Sequence, residues 1–303
     1  MPCYHPLTGY KSQITNKSGK RSLTFSPQHG FVDLSVTVPC GQCIGCRIER
    51  SRQWALRCMH EAKLHRGSCF ITLTYDDEHM PPGSTLVLAD LQKFMKRLRF
   101  KLQKPIRFYA CGEYGDQLDR PHYHAIIFGE DFTSDRKIHS KGNSKSPNYT
   151  SKLLTETWGL GHAMIGQLNY QTAAYTARYI MKKVGGEMAE THYQRTNPDT
   201  GEIYQLKPEF ATMSKKPGLG SGWYDRYKTD AFPSDFLVFQ GKKTTVPKYY
   251  LDKLERESLL EHKAVKAKRR TALSKHKANN TPERLAVRKE VKLSQIKTLS
   301  RNL

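Results

Sequence analysis

Apolar positions along the chain follow two rhythms. Ile48, Ala55, Met59 and Ala62 recur at helical intervals with Arg and Lys on the other faces until Gly67, which predicts a basic amphipathic helix from Cys46 to about His65. Leu91, Phe94, Met95, Leu98 and Leu102 predict a second helix, with Asp90 as its cap. A third is expected from about Gln171 to Val184, closed by Gly185 and Gly186. The strand rhythm is equally distinct. CFITLTY (69–75) is β-branched and aromatic throughout, as a buried central strand would be. IRFYACGE (106–113) and HYHAIIFG (122–129) are strand-like runs separated by YGDQLDRP, a hairpin-length loop closed by proline, and HAMIGQL (162–168) is a fourth candidate strand. Residues 1–39 are read as loops plus one or two short strands such as FVDLSVTV (31–38), and 131–151 as an exposed insertion. After residue 187 the pattern loosens into loops, including the basic, glycine-punctuated KKPGLGSGWY (215–224), and no internal repeat is visible.

Strand, helix, strand, strand is half of a ferredoxin-like layer, so the expected class is α+β. Three regions are expected: a Cys-rich N-terminal extension with its basic helix (1–66), a core (67–250) and a basic, helix-prone, solvated tail (251–303). The tail carries 15 Lys or Arg against 6 Asp or Glu, within a formal charge of +22 for the 303 residues. That balance points to nucleic acid. The longest apolar runs are about four residues (AIIF, FLVF), against the ~20 of a membrane span, so no membrane partner is expected. The N-terminal residues contain no apolar stretch of the secretory kind, and the expected location is cytoplasmic.

Candidate chemistry falls in three places. Strand side chains alternate faces, so His122 and His124 point the same way, about 7 Å apart, and a hairpin brings Glu113 beside them. Two imidazoles and a carboxylate make a three-ligand site with open positions, as a catalytic divalent metal requires. With 12 histidines in the chain, one H-x-H is expected by chance about half a time, and the competing reading is a pair of hydrogen-bonded core histidines. In AAYTARYIMKK (173–183), Tyr175 and Tyr179 lie one turn apart on one helix face, with Lys182 a turn further. The competing reading is an aromatic core stripe, against which Arg178, Lys182 and Lys183 crowd the same helix. A tyrosine hydroxyl is a poor nucleophile at neutral pH, but a metal bound to the same phosphodiester would offset the charge that develops on attack, and Lys182 would stabilise the phosphorane or the phenolate.

The third place is Cys40-x-x-Cys43-x-x-Cys46. Seven cysteines give about 0.16 C-x-x-C pairs by chance, so two in succession form the least accidental pattern in the chain. Such thiolates converge on one ion, and a structural Zn²⁺ would need a fourth ligand, Cys3 or His5, fixing the N-terminal loops against the basic helix. The alternative is thiols acting as small hydrophobes, as expected of Cys58, Cys69 and Cys111. Phosphate contacts are expected from Arg47, Arg50, Arg52 and Arg57, from Lys215 and Lys216 in the glycine-punctuated loop, and from the tail. Trp54, Trp158 and Trp223 are candidates for stacking on unpaired bases.

T-L-T-Y (72–75), then RPHYHAIIFG (120–129), then Y-x-x-x-Y-x-x-K (175–182), in that order, resembles the HUH endonucleases of rolling-circle replication. The paired tyrosines are similar to those of the two-tyrosine initiators of the Microviridae, and VPCGQCIGCRIERSRQWA (38–55) looks like the gokushovirus branch. The resemblance spans about residues 38–224. It implies a ferredoxin/RRM-like antiparallel sheet with helices on one side, and Mg²⁺ or Mn²⁺ held by His122, His124 and an acidic residue. Glu113 is the motif's choice, although Asp116 and Asp119 share its loop. The implied activity is site-specific nicking of one strand at the origin of the double-stranded replicative form. Tyr175 or Tyr179 would link to the 5′ phosphate, and the displaced strand would be rejoined into a circle. Partners would be origin DNA and, since the sequence has no Walker-type loop, a host helicase and polymerase in the host cytoplasm. Alternatives are a two-tyrosine transposase or relaxase, or a non-enzymatic zinc-containing DNA-binding protein.

Overall fold

A computed structural model describes residues 3–17, 19–115, 119–140, 147–179, 183, 184, 186, 188–196 and 200–298, with Tyr179 described by its backbone. Two compact units divide the chain, Met1–Arg50 with Ala264–Asn302, and Ser51–Lys263. The first unit opens with β1 (Leu7–Thr15), β2 (Arg21–Thr24) and β3 (Gly30–Val38), an antiparallel sheet in the order β2-β1-β3. This is more sheet than the expected one or two short strands. Polar side chains interrupt β1 so often that burial gives no signal, and pairing with β3 from Leu7 to Ser12 and with β2 at Tyr10, Lys11 and Thr15 orders it instead. Next comes α1 (Ile44–Ala62), which begins two residues before the expected start, the unit boundary falling within it at Arg50 and Ser51.

The second unit then runs β4 (Ser68–Tyr75), α2 (Leu88–Leu102), β5 (Arg107–Tyr114), β6 (Pro121–Phe128), β7 (Lys137–Ser140), β8 (Asn148–Thr150), α3 (Lys152–Trp158), β9 (Gly161–Gln167) and α4 (Tyr170–Tyr179). After these come α5 (Met188–Tyr193), β10 (Gln194–Thr196), β11 (Ile203–Gln205), β12 (Phe210–Met213), α6 (Ser221–Ala231), β13 (Phe236–Phe239), β14 (Lys242–Thr245) and α7 (Lys248–Glu257). The helices α8 (Leu259–Ser274) and α9 (Pro282–Lys297) complete the chain and make the tail helical, as expected.

Seven strands of the second unit form one antiparallel sheet, β12-β5-β6-β4-β9-β8-β7, with β4 at its centre. Its odd-numbered β4 residues Cys69, Ile71, Leu73 and Tyr75 are buried with Leu91, Phe94, Met95 and Leu98 of α2 and with Leu154 and Trp158 of α3. On the opposite face, Tyr109 of β5 and Ile126 and Phe128 of β6 pack with Ala55 and Cys58 of α1 and Ala173 and Ala177 of α4. Helices therefore cover both faces, which corrects the expectation of helices on one side. The cause is in β6, where Ala125 and Ile127 are apolar on one face and Ile126 and Phe128 on the other, so both need cover.

Other expectations also change. Residues 131–151 are not simply an insertion, since β7 and β8 prolong the sheet beyond β9 and Phe132 is buried in the core. Asp90 lies inside the first turn of α2 and accepts the Tyr75 hydroxyl at 2.8 Å, leaving Val87 at the N-cap. The loop 215–224 ends in α6, which buries Trp223 and Tyr224, and Trp158 is fully enclosed. Trp158 and Trp223 are thus core residues unable to stack on bases. At Gly161 φ is +133° and a Cβ would meet the Asp76 amide nitrogen at 2.3 Å, so only glycine lets β9 start against the end of β4.

Candidate active site

The hairpin register pairs Glu113 with His122 and Cys111 with His124, while β4 sets Thr74 opposite His122 and Thr72 opposite His124. Period-two alternation therefore sends Glu113, His122, His124 and Thr72 to one face, the face that α4 covers. There the Glu113 Oε1 lies 2.8 Å from His122 Nε2 and 2.9 Å from His124 Nε2. Glu113 is buried, with 1% exposure, and so is His124.

The outer ring nitrogens determine what this contact means. His122 Nδ1 is 3.1 Å from the Arg120 carbonyl, which only accepts, so that nitrogen carries the proton and donates. With Nδ1 donating outward, Nε2 is the nitrogen turned toward the Glu113 carboxylate, and it is the ring atom that an imidazole in this orientation offers to a metal. His124 Nδ1 is 3.0 Å from the Thr72 hydroxyl, a partner for the same tautomer. Burial raises the Glu113 carboxyl, but hydrogen bonds and charge from His122 and His124 outweigh it and hold the carboxyl below its ordinary value. The three ligand atoms lie within 4.8 Å of one another. A divalent ion with bonds of about 2.1 Å separates adjacent ligands by about 3.0 Å, so the residues fit such an ion with little movement.

Tyr175 adjoins this group. Its ring meets His124 edge-on at 5.2 Å and Phe70 at 6.3 Å, and Phe70 stacks on His124 at 5.2 Å. Its helix, α4, is set by reciprocal bonds between Asn169 and Thr172 at its start and by the Ser51 hydroxyl donating to the Ala174 carbonyl at 2.9 Å. Tyr179 closes α4 one turn after Tyr175, whereas Lys182 and Asp116 lie outside the described residues. Asp119 pairs with Arg195 at 3.2 Å. Glu113 is thus the acidic residue brought to the histidines among those described. Two supports escaped the sequence reading, Thr72 and Phe70. Both lie in the CFITLTY run, but their partnership with His124 depends on a register between segments fifty residues apart.

In the first unit, Cys3, Cys40, Cys43 and Cys46 also converge, with all sulfurs within 4.8 Å. The expected phosphate-binding residues divide. Lys215, Lys216 and Arg50 are exposed and Arg47 is half-buried. Arg52 donates to Thr244 Oγ1 at 2.7 Å and to the Thr245 carbonyl at 2.9 Å. Arg57 sits between Trp54 and Tyr249, at 4.1 and 3.8 Å from their rings, and donates to the Leu219 carbonyl at 3.0 Å. Arg57 is therefore a packing residue, not part of an open basic face.

The family replication-associated protein ORF2/G2P matches residues 68–184, the stretch that holds Glu113, His122, His124 and Tyr175. Replication-associated protein VP4 of Bdellovibrio phage phiMH2K is 32% identical over 227 residues, 72% of this chain and 67% of its own length. Replication-associated protein ORF2 of Spiroplasma virus 4 is 31% identical over 277 residues, 85% of this chain and 81% of its own. The chain belongs to the phage replication-associated proteins. A further member, ORF4 of Chlamydia phage 1, is 27% identical over 257 residues, 82% of this chain and 61% of its own. No solved structure matches. Within this family, the matched segment is the part of the chain that contains the buried carboxylate, both histidines and the tyrosine helix. Among the described residues, no helix is long and apolar enough to cross a membrane.

Proposed function

We propose that this chain initiates rolling-circle replication of a phage genome as a metal-dependent, site-specific single-strand endonuclease of the HUH type. One observation carries the reading: Glu113, His122 and His124 converge on one point, and the ring of Tyr175 lies against His124. The order β5-β6-β4-β9, with α2 joining β4 to β5, supports a ferredoxin-like core for this chemistry. Family membership supports the role in viral DNA replication.

In this reading Glu113, His122 and His124 hold Mg²⁺ or Mn²⁺, which when bound polarises the scissile phosphodiester and offsets its developing charge. Arg120 and Thr72 fix both imidazoles so that Nε2 faces inward. The Tyr175 or Tyr179 hydroxyl attacks phosphorus as the bond to the 3′ oxygen breaks, and that oxygen takes up the proton given up by the tyrosine. Lys182 stabilises the phenolate. The phosphotyrosine keeps the energy of the broken ester, so rejoining requires no ATP. Two tyrosines a turn apart alternate, one holding the 5′ end while the other cuts the regenerated origin. The free 3′ hydroxyl primes synthesis by a host polymerase behind a host helicase, and Lys215, Lys216, Arg47 and Arg50 contribute to binding origin DNA.

The test is incubation with labelled single strands tiling the phage genome, with and without Mn²⁺. Cleavage at one sequence, dependent on metal and lost in Glu113→Gln and in His122→Ala, is expected. Binding of every strand with cleavage of none would instead make the chain a DNA-binding protein.

A further inference from the structure

The second convergence of ligands, in the first unit, is independent of the proposed nuclease. Cys3 Sγ lies 3.7 Å from Cys40 Sγ and 4.0 Å from Cys43 Sγ, and Cys46 Sγ is within 4.8 Å of all three. Four thiolates around Zn²⁺ at about 2.3 Å stand about 3.8 Å apart at the edges of the tetrahedron. A disulfide would bring two sulfurs to about 2.05 Å, and none of the seven cysteines is disulfide-bonded.

The backbone around the cluster suits thiolates. Tyr4 N–H donates to Cys43 Sγ, Cys40 N–H to Cys3 Sγ and Cys43 N–H to Cys40 Sγ, each at 3.3 Å. Backbone N–H groups aimed at three of the four sulfurs are the outer-sphere arrangement that supports metal-bound thiolates. Gly41, at φ +76°, lets the Cys40 to Cys43 turn close. Cys43 immediately precedes α1 and Cys46 lies in its first turn, where the helix dipole favours negative charge. His5, the other candidate fourth ligand, has its Nε2 3.0 Å from Lys289 Nζ. Cys58, Cys69 and Cys111 show what packing thiols look like in this chain: each is fully buried, whereas Cys40, Cys43 and Cys46 are part-exposed.

We propose that Cys3, Cys40, Cys43 and Cys46 bind one structural Zn²⁺. The fold explains its use. Cys3 lies just before β1 and Cys40 just after β3, so the ion clips the open end of a sheet whose side chains are mostly exposed and ties it to the start of α1. A sheet that buries so little cannot be held by a core alone, and metal binding supplies the missing folding energy.

The test is elemental analysis of the full-length protein purified under reducing conditions from zinc-supplemented medium. One zinc per chain is expected, unchanged in His5→Ala, in Cys58→Ser and in the His122→Ala/His124→Ala double variant. Replacing zinc by Co²⁺ should give the sulfur-to-metal charge-transfer absorption of a four-thiolate site, measured on the wild-type chain without any cysteine change. Cys3→Ser and Cys40→Ser should hold less than a tenth of a zinc. Iron in place of zinc, less than a tenth of a zinc in the wild type, or loss of zinc from the histidine double variant would each overturn the proposal.

Discussion

Replacing Thr72 by valine removes a single hydroxyl and leaves a β-branched side chain that suits the centre of β4. The lost group is the partner of His124 Nδ1 at 3.0 Å, on the ring whose Nε2 faces Glu113. Without it, nothing in that contact selects the tautomer that turns Nε2 inward, although Phe70 still fixes the ring plane. Removing such an outer partner costs about 10–100-fold in metal affinity, or roughly 1.4–2.7 kcal/mol. Thr72 is half-buried, so water replaces part of the bond and the effect should fall near the lower end. The assay is calorimetric titration of Mn²⁺ into full-length wild type, Thr72→Val and Thr72→Ser, with urea unfolding to confirm equal folding. About tenfold weaker binding in Thr72→Val, with Thr72→Ser near wild type, is expected. Equal Mn²⁺ affinity in the valine variant would refute the claim that Thr72 orients a metal ligand.

Three further outcomes follow from the geometry. Trp158 is fully buried against Phe94, Tyr75 and Tyr123, with its N–H donated to the Thr74 carbonyl at 3.1 Å, so Trp158→Ala should cost about 3–5 kcal/mol in urea unfolding; a loss below about 1 kcal/mol would contradict that packing. Burial, helped by Lys63, lowers His60 to about 3, so the fold keeps it neutral while the unfolded chain protonates below about 6.5; stability is present above that pH and lost as pH falls toward 3, by about 2 kcal/mol between pH 6.5 and 5, and a His60→Gln variant unfolded in urea at both pH values should lose that dependence. If Lys215 and Lys216 contact phosphates, changing both to Gln should lower the slope of log affinity against log salt for single-stranded DNA by about 1.4, whereas an unchanged slope would place the phosphate contacts elsewhere.

The parts of the sequence that proved legible are those whose signal is local. CFITLTY, the two runs of the hairpin and HAMIGQL each became a strand of the large sheet, because alternation and β-branching are properties of a few consecutive residues. The same alternation put His122 and His124 on one face, and the hairpin brought Glu113 beside them. What escaped depends on residues far apart. The both-sided burial of β6 is settled by α2 and α3 on one face and α1 and α4 on the other. Asp90 resembled a helix cap until the Tyr75 hydroxyl claimed it across the core. Arg57 read as an open basic residue until Trp54 and Tyr249 closed over it. The N-terminal sheet gave little apolar signal because its strands stay mostly exposed.

Trapping the reaction and sequencing the linkage tests the proposed tyrosine chemistry. The full chain would be incubated with Mn²⁺ and the cleaved single strand, the DNA digested to a nucleotide remnant and the tryptic peptides read by tandem mass spectrometry. A phosphotyrosyl nucleotide on Tyr175 or Tyr179 is expected, absent without metal and absent from the Tyr175→Phe/Tyr179→Phe double variant. Cleavage that leaves a free 5′ phosphate and no modified tyrosine, or an adduct on a residue outside α4, would contradict that chemistry.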